Sequence, residues 1–328
     1  MSACWERNSG KTGQTVIFGQ GPTTQEAIAE AGTGVAPYPG LMRMNVVVID
    51  PPSFPYTHFL FDTVRMLHFT LLELGVDATL TRNKLEPGRL NVLCGVHLLA
   101  GGADVRAILD TDEDFIVLQT EMVHGRTINR EPGSRVDEVV LPLCEAARAV
   151  WDSSPENIAA LATLGVQAKL LRFGWTPKMR EIDPRPRDVD FFFYGSVTPA
   201  RAAVLAELGR LGYRVETCFD SAAIFRNDLI ARSEVVLTLR QSDAMPHLPH
   251  ARLIYLVSNE ALVAGHGGEN DEGLRDVFCR FDEVGSVVEF LRRVRSRGDR
   301  QELRARHHAA LRERPMRRFV APLLEGLS

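Results

Sequence analysis

Two periods of apolar spacing alternate along the chain. Short β-branched and apolar runs at 45–49, 77–81, 91–98 and 115–119 read as strands, and apolar residues at helical spacing over 58–74, 103–109 and 141–149 read as helices. The helix over 58–74 stops at Gly75, and the helix over 155–164 opens on Ser154 as N-cap and stops at Gly165. Strands at 149–151 and 166–173 complete this first series. A second series has strands at 189–194, 214–218, 234–239, 261–264 and 277–280, helices at 199–211, 221–231 and 250–258, and further helices to the end. Between the two, residues 174–188 hold Pro177, Pro184 and Pro186 among charges with little apolar periodicity, which is linker composition. Strands alternating with helices predict parallel sheets covered on both faces. The expected fold is therefore α/β, with two doubly wound Rossmann-like domains facing a central cleft. The expected division is an N-terminal appendage at 1–40, a first domain over 41–176, a linker at 177–188, and a second, nucleotide-binding domain over 189–328 ending in a helical tail. In the appendage, Thr23-Thr24-Gln25-Glu26 matches a capping box that opens a helix.

Composition narrows the function classes. With 328 residues, 45% of them hydrophobic, the chain can bury two cores, and its net charge of −4 gives no global attraction to nucleic acid. Cys4, Cys94, Cys144, Cys218 and Cys279 lie far apart with no C-x-x-C pair, which argues against a thiolate zinc site or a disulfide framework and predicts reduced thiols in a cytoplasmic protein. No apolar run reaches the roughly 18 residues of a membrane span, and residues 1–10 lack a signal pattern. Gly10-Lys11-Thr12 lacks the earlier glycine of a phosphate loop, Trp5 standing in its place. Eleven arginines between 292 and 318 face only Asp299, Glu302 and Glu313, without a strong continuous apolar face opposite. That pattern predicts a solvated helical tail rather than a membrane-surface helix.

Three stretches carry a family likeness. The first is Val150-Trp151-Asp152-Ser153-Ser154-Pro155-Glu156-Asn157, followed by Leu164-Gly165-Val166 and Leu170-Leu171-Arg172-Phe173-Gly174-Trp175. The second is Phe191-Phe192-Phe193-Tyr194-Gly195-Ser196 with Arg201, and the third is His250-Ala251-Arg252-Leu253-Ile254-Tyr255 with Ala261-Leu262-Val263. With the two-domain pattern they resemble the GT-B glycosyltransferase superfamily of nucleotide-sugar enzymes. The resemblance spans roughly residues 44 to 328. It implies a crossover into the linker at the first stretch, a glycine turn at the second and a donor-site helix at the third. The acidic pair of the donor motif is incomplete here, because the helix opens on His250.

Candidate ligand residues follow from strand ends. In open parallel sheets ligands sit beyond the carboxyl ends of the strands, where helix N-termini present free N–H groups. Gly195 lets the backbone approach a phosphate and Ser196 offers a hydroxyl donor; an ordinary strand-to-helix turn uses the same residues. Arg240 ends a strand and Arg252 lies in the first turn of the next helix, where a guanidinium fork suits a departing diphosphate, with a solvated or structurally paired arginine as the alternative. His247 and His250 flank Pro249 at that helix start. In the Gly-rich loop that follows, Glu269 or Glu272 suits a ribose hydroxyl, or is a solvated acidic turn. The loop lacks the third glycine of a dinucleotide fingerprint. In the first domain His58 is the leading candidate for general base or sugar contact, and Glu121 with His124 is the second; each is otherwise a loop or capping residue. Asp188-Val189-Asp190 has D-x-D form but enters a strand at its amino end, away from the ligand edge.

The expected activity is transfer of a sugar from a nucleoside diphosphate sugar to a small-molecule or glycan acceptor. A flavin-independent nucleotide-sugar mutase is the alternative, and a non-catalytic two-domain binding protein a lesser one. No cofactor is required by this reading, no residues indicate a divalent metal, and a homo-oligomer is left open.

Overall fold

The computed structural model describes residues 42–327 except 53, 55, 132–134, 220, 242–247, 268–272, 282–283 and 294–296. The capping box at residues 23–26, the Gly10-Lys11-Thr12 triplet, His247, Glu269 and Glu272 lie outside the described residues.

The first domain is built from β1 (Arg43–Val48), α1 (Phe61–Glu73), β2 (Asp77–Arg82), β3 (Leu90–Cys94), α2 (Gly102–Leu109) and β4 (Phe115–Gln119). It continues through β5 (Val123–His124), β6 (Thr127–Ile128), α3 (Leu141–Ala146), β7 (Ala149–Asp152), α4 (Pro155–Thr163) and β8 (Ala168–Leu170). Six of these strands form one parallel sheet in the order β2-β1-β3-β4-β7-β8. The second domain contains β9 (Val189–Tyr194), α5 (Pro199–Arg210), β10 (Val215–Cys218), α6 (Ala223–Arg232), β11 (Ser233–Thr238), α7 (His250–Ser258), β12 (Val263–His266) and β13 (Cys279–Phe281). Its parallel sheet runs β10-β9-β11-β12-β13. The helices α8 (Val284–Arg293), α9 (Arg297–Arg312) and α10 (Arg317–Glu325) follow. In both sheets the second strand in sequence lies outside the first and the third returns to its other side. The strand order therefore reverses between β1 and β3 and again between β9 and β11, and those two gaps are where open sheets take ligands.

Burial explains why these runs are strands. β3 and β4 are buried along their whole length and β9 and β11 nearly so, as expected of parallel strands covered by helices on both faces. Alternate residues go to opposite faces: Val47, Leu93, Val117 and Val150 join one apolar cluster, and Val46, Val92, Ile116 and Trp151 join another. The second cluster runs on into Phe192, Val236, Ile254, Tyr255 and Val263, so a continuous apolar layer holds the domains together.

Several boundaries differ from the sequence expectation for local reasons. β3 ends at Cys94 because Gly95 adopts φ +91° and turns the chain into a short 3-10 segment, Val96–Leu98. A Cβ at Gly95 would come 2.6 Å from Leu60 Cδ1, so only glycine makes this turn without displacing α1's approach. β8 keeps three paired residues of the eight expected. The β5–β6 hairpin was not foreseen; two residues per strand around Gly125 and Arg126 leave no period to read. Ser154 caps α4 as expected, accepting a hydrogen bond from the Asn157 backbone N–H.

The tail is not simply solvated. Arg304, buried, donates to the Glu234 carbonyl and carboxylate, Arg300 also reaches Glu234, and Arg314 pairs with Asp276. The chain then returns to the first domain: Trp175 N–H donates to the Arg314 carbonyl, Met316 N–H to the Trp175 carbonyl, and α10 lies against α1. Among the described residues no helix is long and apolar enough to cross a membrane. Cys94, Cys144, Cys218 and Cys279 are free thiols, and burial pushes Cys144 and Cys279 up to about 12.

Glu73, at the end of α1, faces Arg317 of α10 at 3.8 Å, and burial outweighs that cation, raising its carboxyl to about 7. The folded chain thus holds a proton here that the unfolded chain releases near 4.5, and stability is lost as pH rises from 4.5 to about 7. Glu73→Gln is expected to raise stability at pH 8, by at most about 3 kcal/mol, and to leave it unchanged at pH 4, as read from urea midpoints at the two values.

Candidate functional site

The crevice between the carboxyl ends of β9 and β11 gathers four of the residues singled out in the sequence. β9 ends at Tyr194, and Gly195 follows with φ +128°, a conformation few side chains tolerate. A Cβ there would meet the Arg252 guanidinium at 3.1 Å. Arg252 stacks on the Tyr194 ring, 4.7 Å from its centroid, and its Nη1 is buried with no hydrogen-bond partner among the described residues. The Tyr194 hydroxyl and Thr238 Oγ1, at the ends of the same two strands, are likewise buried and unpartnered. Such groups are rare in folded proteins, and several at one strand edge mark a place prepared for another molecule.

Arg201 holds this edge together. It is buried, donates from Nε and Nη2 to the Leu239 carbonyl, from Nε to the Arg240 carbonyl, and from Nη1 to the Ser196 carbonyl and hydroxyl. Its guanidinium lies over the Phe193 ring at 5.3 Å. The fork spends its donors on main chain, tying the β9 loop to the end of β11. Burial, and then the nearby Arg252 charge, draw Arg201 down to about 10. Two arginines thus share the crevice, one spent on main-chain carbonyls and the other stacked on a ring, so the site is electropositive. Ser196 is placed in the crevice, with its hydroxyl engaged by Arg201.

Arg240 reaches the edge but turns sideways. Its Nε and Nη2 donate to the Gly267 carbonyl at 2.9 and 2.5 Å, and its backbone N–H donates to His266 Nδ1 at 3.2 Å, which fixes the end of β12 beside β11. His250 is the first residue of α7, whose Pro249 cap supplies no side-chain acceptor. α5 likewise starts without a side-chain cap, and neither helix has an acidic residue in its first turn. Among the described residues, both positive helix ends therefore stand at the crevice edge with no capping side chain.

In the first domain the candidates separate. His58 sits in the 3-10 turn Thr57–Leu60 beyond the end of β1, exposed, with its ring edge-on to Phe61 at 5.2 Å. Glu121 follows β4 and lies deeper, its carboxylate accepting from Asn129 Nδ2 at 2.6 Å. Burial pushes that carboxyl up, against the pull of the Asn129 hydrogen bond. The loop bearing it is held by buried Asn157, which accepts from Val123 N–H and donates to the Glu121 carbonyl and to Asp152. His124 pairs with Thr127 across the hairpin, one turn of chain from Glu121. His97, next to the β3 end, went unnoticed in the sequence; burial lowers it to about 4, leaving a neutral ring whose Nδ1 is buried and unpartnered among the described residues.

Asp188 and Asp190 lie at the opposite edge of the second sheet. Asp188 is held by Arg214 and Arg232, and Asp190 accepts from the Arg214 backbone N–H. These carboxylates stabilise a strand start. Among the described residues no group of three or more histidine, cysteine or carboxylate side chains is arranged to hold a metal.

No protein-family profile matches the chain, and no curated protein sequence matches it. Solved structures do. T4 phage BGT, in complex with its UDP-glucose substrate, superposes with a TM-score of 0.52 at 9% identity over 83% of this chain and 95% of that one. AviGT4, a glycosyltransferase involved in Avilamycin A biosynthesis, gives 0.47 at 16% identity over 85% and 98%. A UDP-GlcNAc 2-epimerase from Neisseria meningitidis, bound to UDP-GlcNAc, gives 0.45 at 8% identity over 87% and 100%. The T4 phage likeness establishes the fold: two Rossmann-like domains in the GT-B arrangement.

Proposed function

We propose that the chain transfers a sugar from a nucleoside diphosphate sugar to an acceptor hydroxyl, with the diphosphate bound in the β9–β11 crevice. The observation that carries this reading is Arg252, a guanidinium with a buried unpartnered Nη1 against the cradle of Gly195. A diphosphate supplies the missing acceptors, neutralises the pair of arginines and meets two uncapped helix ends. Support also comes from the T4 phage neighbour, whose substrate is UDP-glucose, on the same fold.

In the proposed step the acceptor hydroxyl oxygen bonds to the anomeric carbon while the bond from that carbon to the diphosphate breaks. The diphosphate leaves with the electron pair, stabilised by Arg252 and the helix ends, and the hydroxyl proton passes to a base of the first domain. Proposed for that role are His58, exposed in the turn beyond the end of β1, and second Glu121, on the loop after β4. Of the variants His58→Ala and Glu121→Gln, the one that removes the base is expected to lower kcat about 100- to 10,000-fold with UDP affinity unchanged.

Calorimetric titration of the full chain with UDP, followed by incubation with UDP-glucose and a mixed acceptor panel, tests the proposal. Expected are saturable UDP binding and an acceptor-dependent glucoside. Absence of binding by any of the common nucleoside diphosphates, or formation of a new nucleotide sugar of unchanged mass without acceptor, overturns it.

A further inference from the structure

Two guanidinium groups meet on one aromatic ring at the end of β9, and they are held differently. Tyr194 is 9% exposed and stacks on Phe192, two residues earlier on the strand, with centroids 5.8 Å apart. Arg226 of α6 lies 5.4 Å from the Tyr194 centroid and Arg252 of α7 lies 4.7 Å from it. The Arg226 fork is spent. It donates to both carboxylate oxygens of Asp62 and to Asn227 Oδ1, and a second ring, that of Tyr255, lies 4.6 Å from it. These contacts make Arg226 a fixed wall for the Tyr194 ring. Arg252 is held instead by surfaces: the Tyr194 ring, and Gly195, where an added Cβ would come 3.1 Å from Nη2.

We propose that Tyr194 is a positioning residue for the diphosphate, acting through Arg252. This rests on the transferase reading above. An aromatic face attracts a cation through its quadrupole, and a guanidinium resting over that face keeps the N–H donors around its own edge for another partner. A carboxylate partner would occupy those donors, as Asp62 does for Arg226, and would offset the charge that a phosphate oxygen needs. The ring therefore seats the fork and leaves it usable. A free arginine side chain loses rotamer freedom when a ligand orders it, and a fork already seated loses less. The seat also reaches the first domain, because the ring is backed by Arg226 and Arg226 by Asp62 of α1. The diphosphate contact is thus set from the domain junction as well as from the strand.

Calorimetric titration of the full chain with UDP tests the assignment on variants that change the ring's electrons and keep its shape. Tyr194→Phe, which removes the hydroxyl and keeps the ring, is the reference. Mono-, di- and trifluorophenylalanine placed at the same position by nonsense suppression nearly preserve the ring's volume while draining its negative face. UDP affinity is expected to fall stepwise along that series, by about tenfold in total, the worth of one partly desolvated cation–π contact. A ring that only fills space leaves the series flat, and a flat series overturns the inference. With Arg252→Ala added, the same series is expected to be flat, since the residue through which the ring acts is gone. A stepwise fall there also overturns the inference. Undiminished UDP affinity in Arg252→Ala itself, or no binding of any common nucleoside diphosphate by the wild type, overturns the transferase reading instead, and the two failures are therefore distinguished.

Discussion

Asp62→Ala is expected to lower stability by about 3–5 kcal/mol. Asp62 on α1 accepts two hydrogen bonds from Arg226 on α6, at 2.7 and 3.1 Å, and both side chains are 9% exposed. Arg226 lies 4.6 Å from the centroid of the Tyr255 ring and 5.4 Å from that of Tyr194. Burial raises the Asp62 carboxyl while Arg226 opposes the rise, so the pair holds its charge only because both partners are present. Removing the carboxylate strands a guanidinium in a low-dielectric junction between the domains. The loss should appear as a fall in Tm of about 5–15 °C. Replacing both partners by apolar residues, Asp62→Leu with Arg226→Met, is expected to restore much of it, since no lone charge remains. A single-variant loss under 1 kcal/mol would show that water reaches this junction.

Arg252→Ala is expected to weaken UDP binding about 100-fold, the worth of one bidentate charge-assisted contact to a diphosphate. Its effect on folding has the opposite sign. Nη1 has no partner to lose, and Arg201 nearby is relieved of a repelling charge, so Tm should hold or rise slightly. Arg252→Lys keeps the charge without the fork and is expected to recover only part of the affinity. The contrast separates a ligand residue from a structural one: Arg201→Ala should damage both binding and stability, because Arg201 donates to three main-chain carbonyls and a hydroxyl. Calorimetry and thermal melts of the two alanine variants side by side supply the measurement.

Much of this was readable from spacing. β4, β9 and α7 occupy or closely match the runs expected for them, because a continuous apolar run between turn residues has one good solution in a doubly wound sheet. Gly195 and Arg252 were legible for the same reason, since a residue just past a strand or in a helix's first turn has its position set by the element. What spacing did not reveal depends on distance in space. Arg201 stood in the sequence only as the close of the second family-like stretch, and its role arises from carbonyls nearly forty residues away. Asp62 and Arg226 are separated by 164 residues and by the domain linker. The contact of Tyr56 with Phe219 is a similar case, joining a proline-rich loop to a strand end 163 residues on.

The last helix changes how the two halves can move. With the chain crossing once near residue 176 and again near 315, and the crossings hydrogen-bonded side by side through Trp175, Arg314 and Met316, the domains hang on two adjacent pins. A single tether permits swing and twist in every direction, whereas paired tethers leave chiefly one rotation, about an axis through them. The same arrangement means that a fragment cut at residue 189 carries α10 away from its seat on α1 and bares Val320, Leu323 and Leu324, so the two halves are to be studied joined.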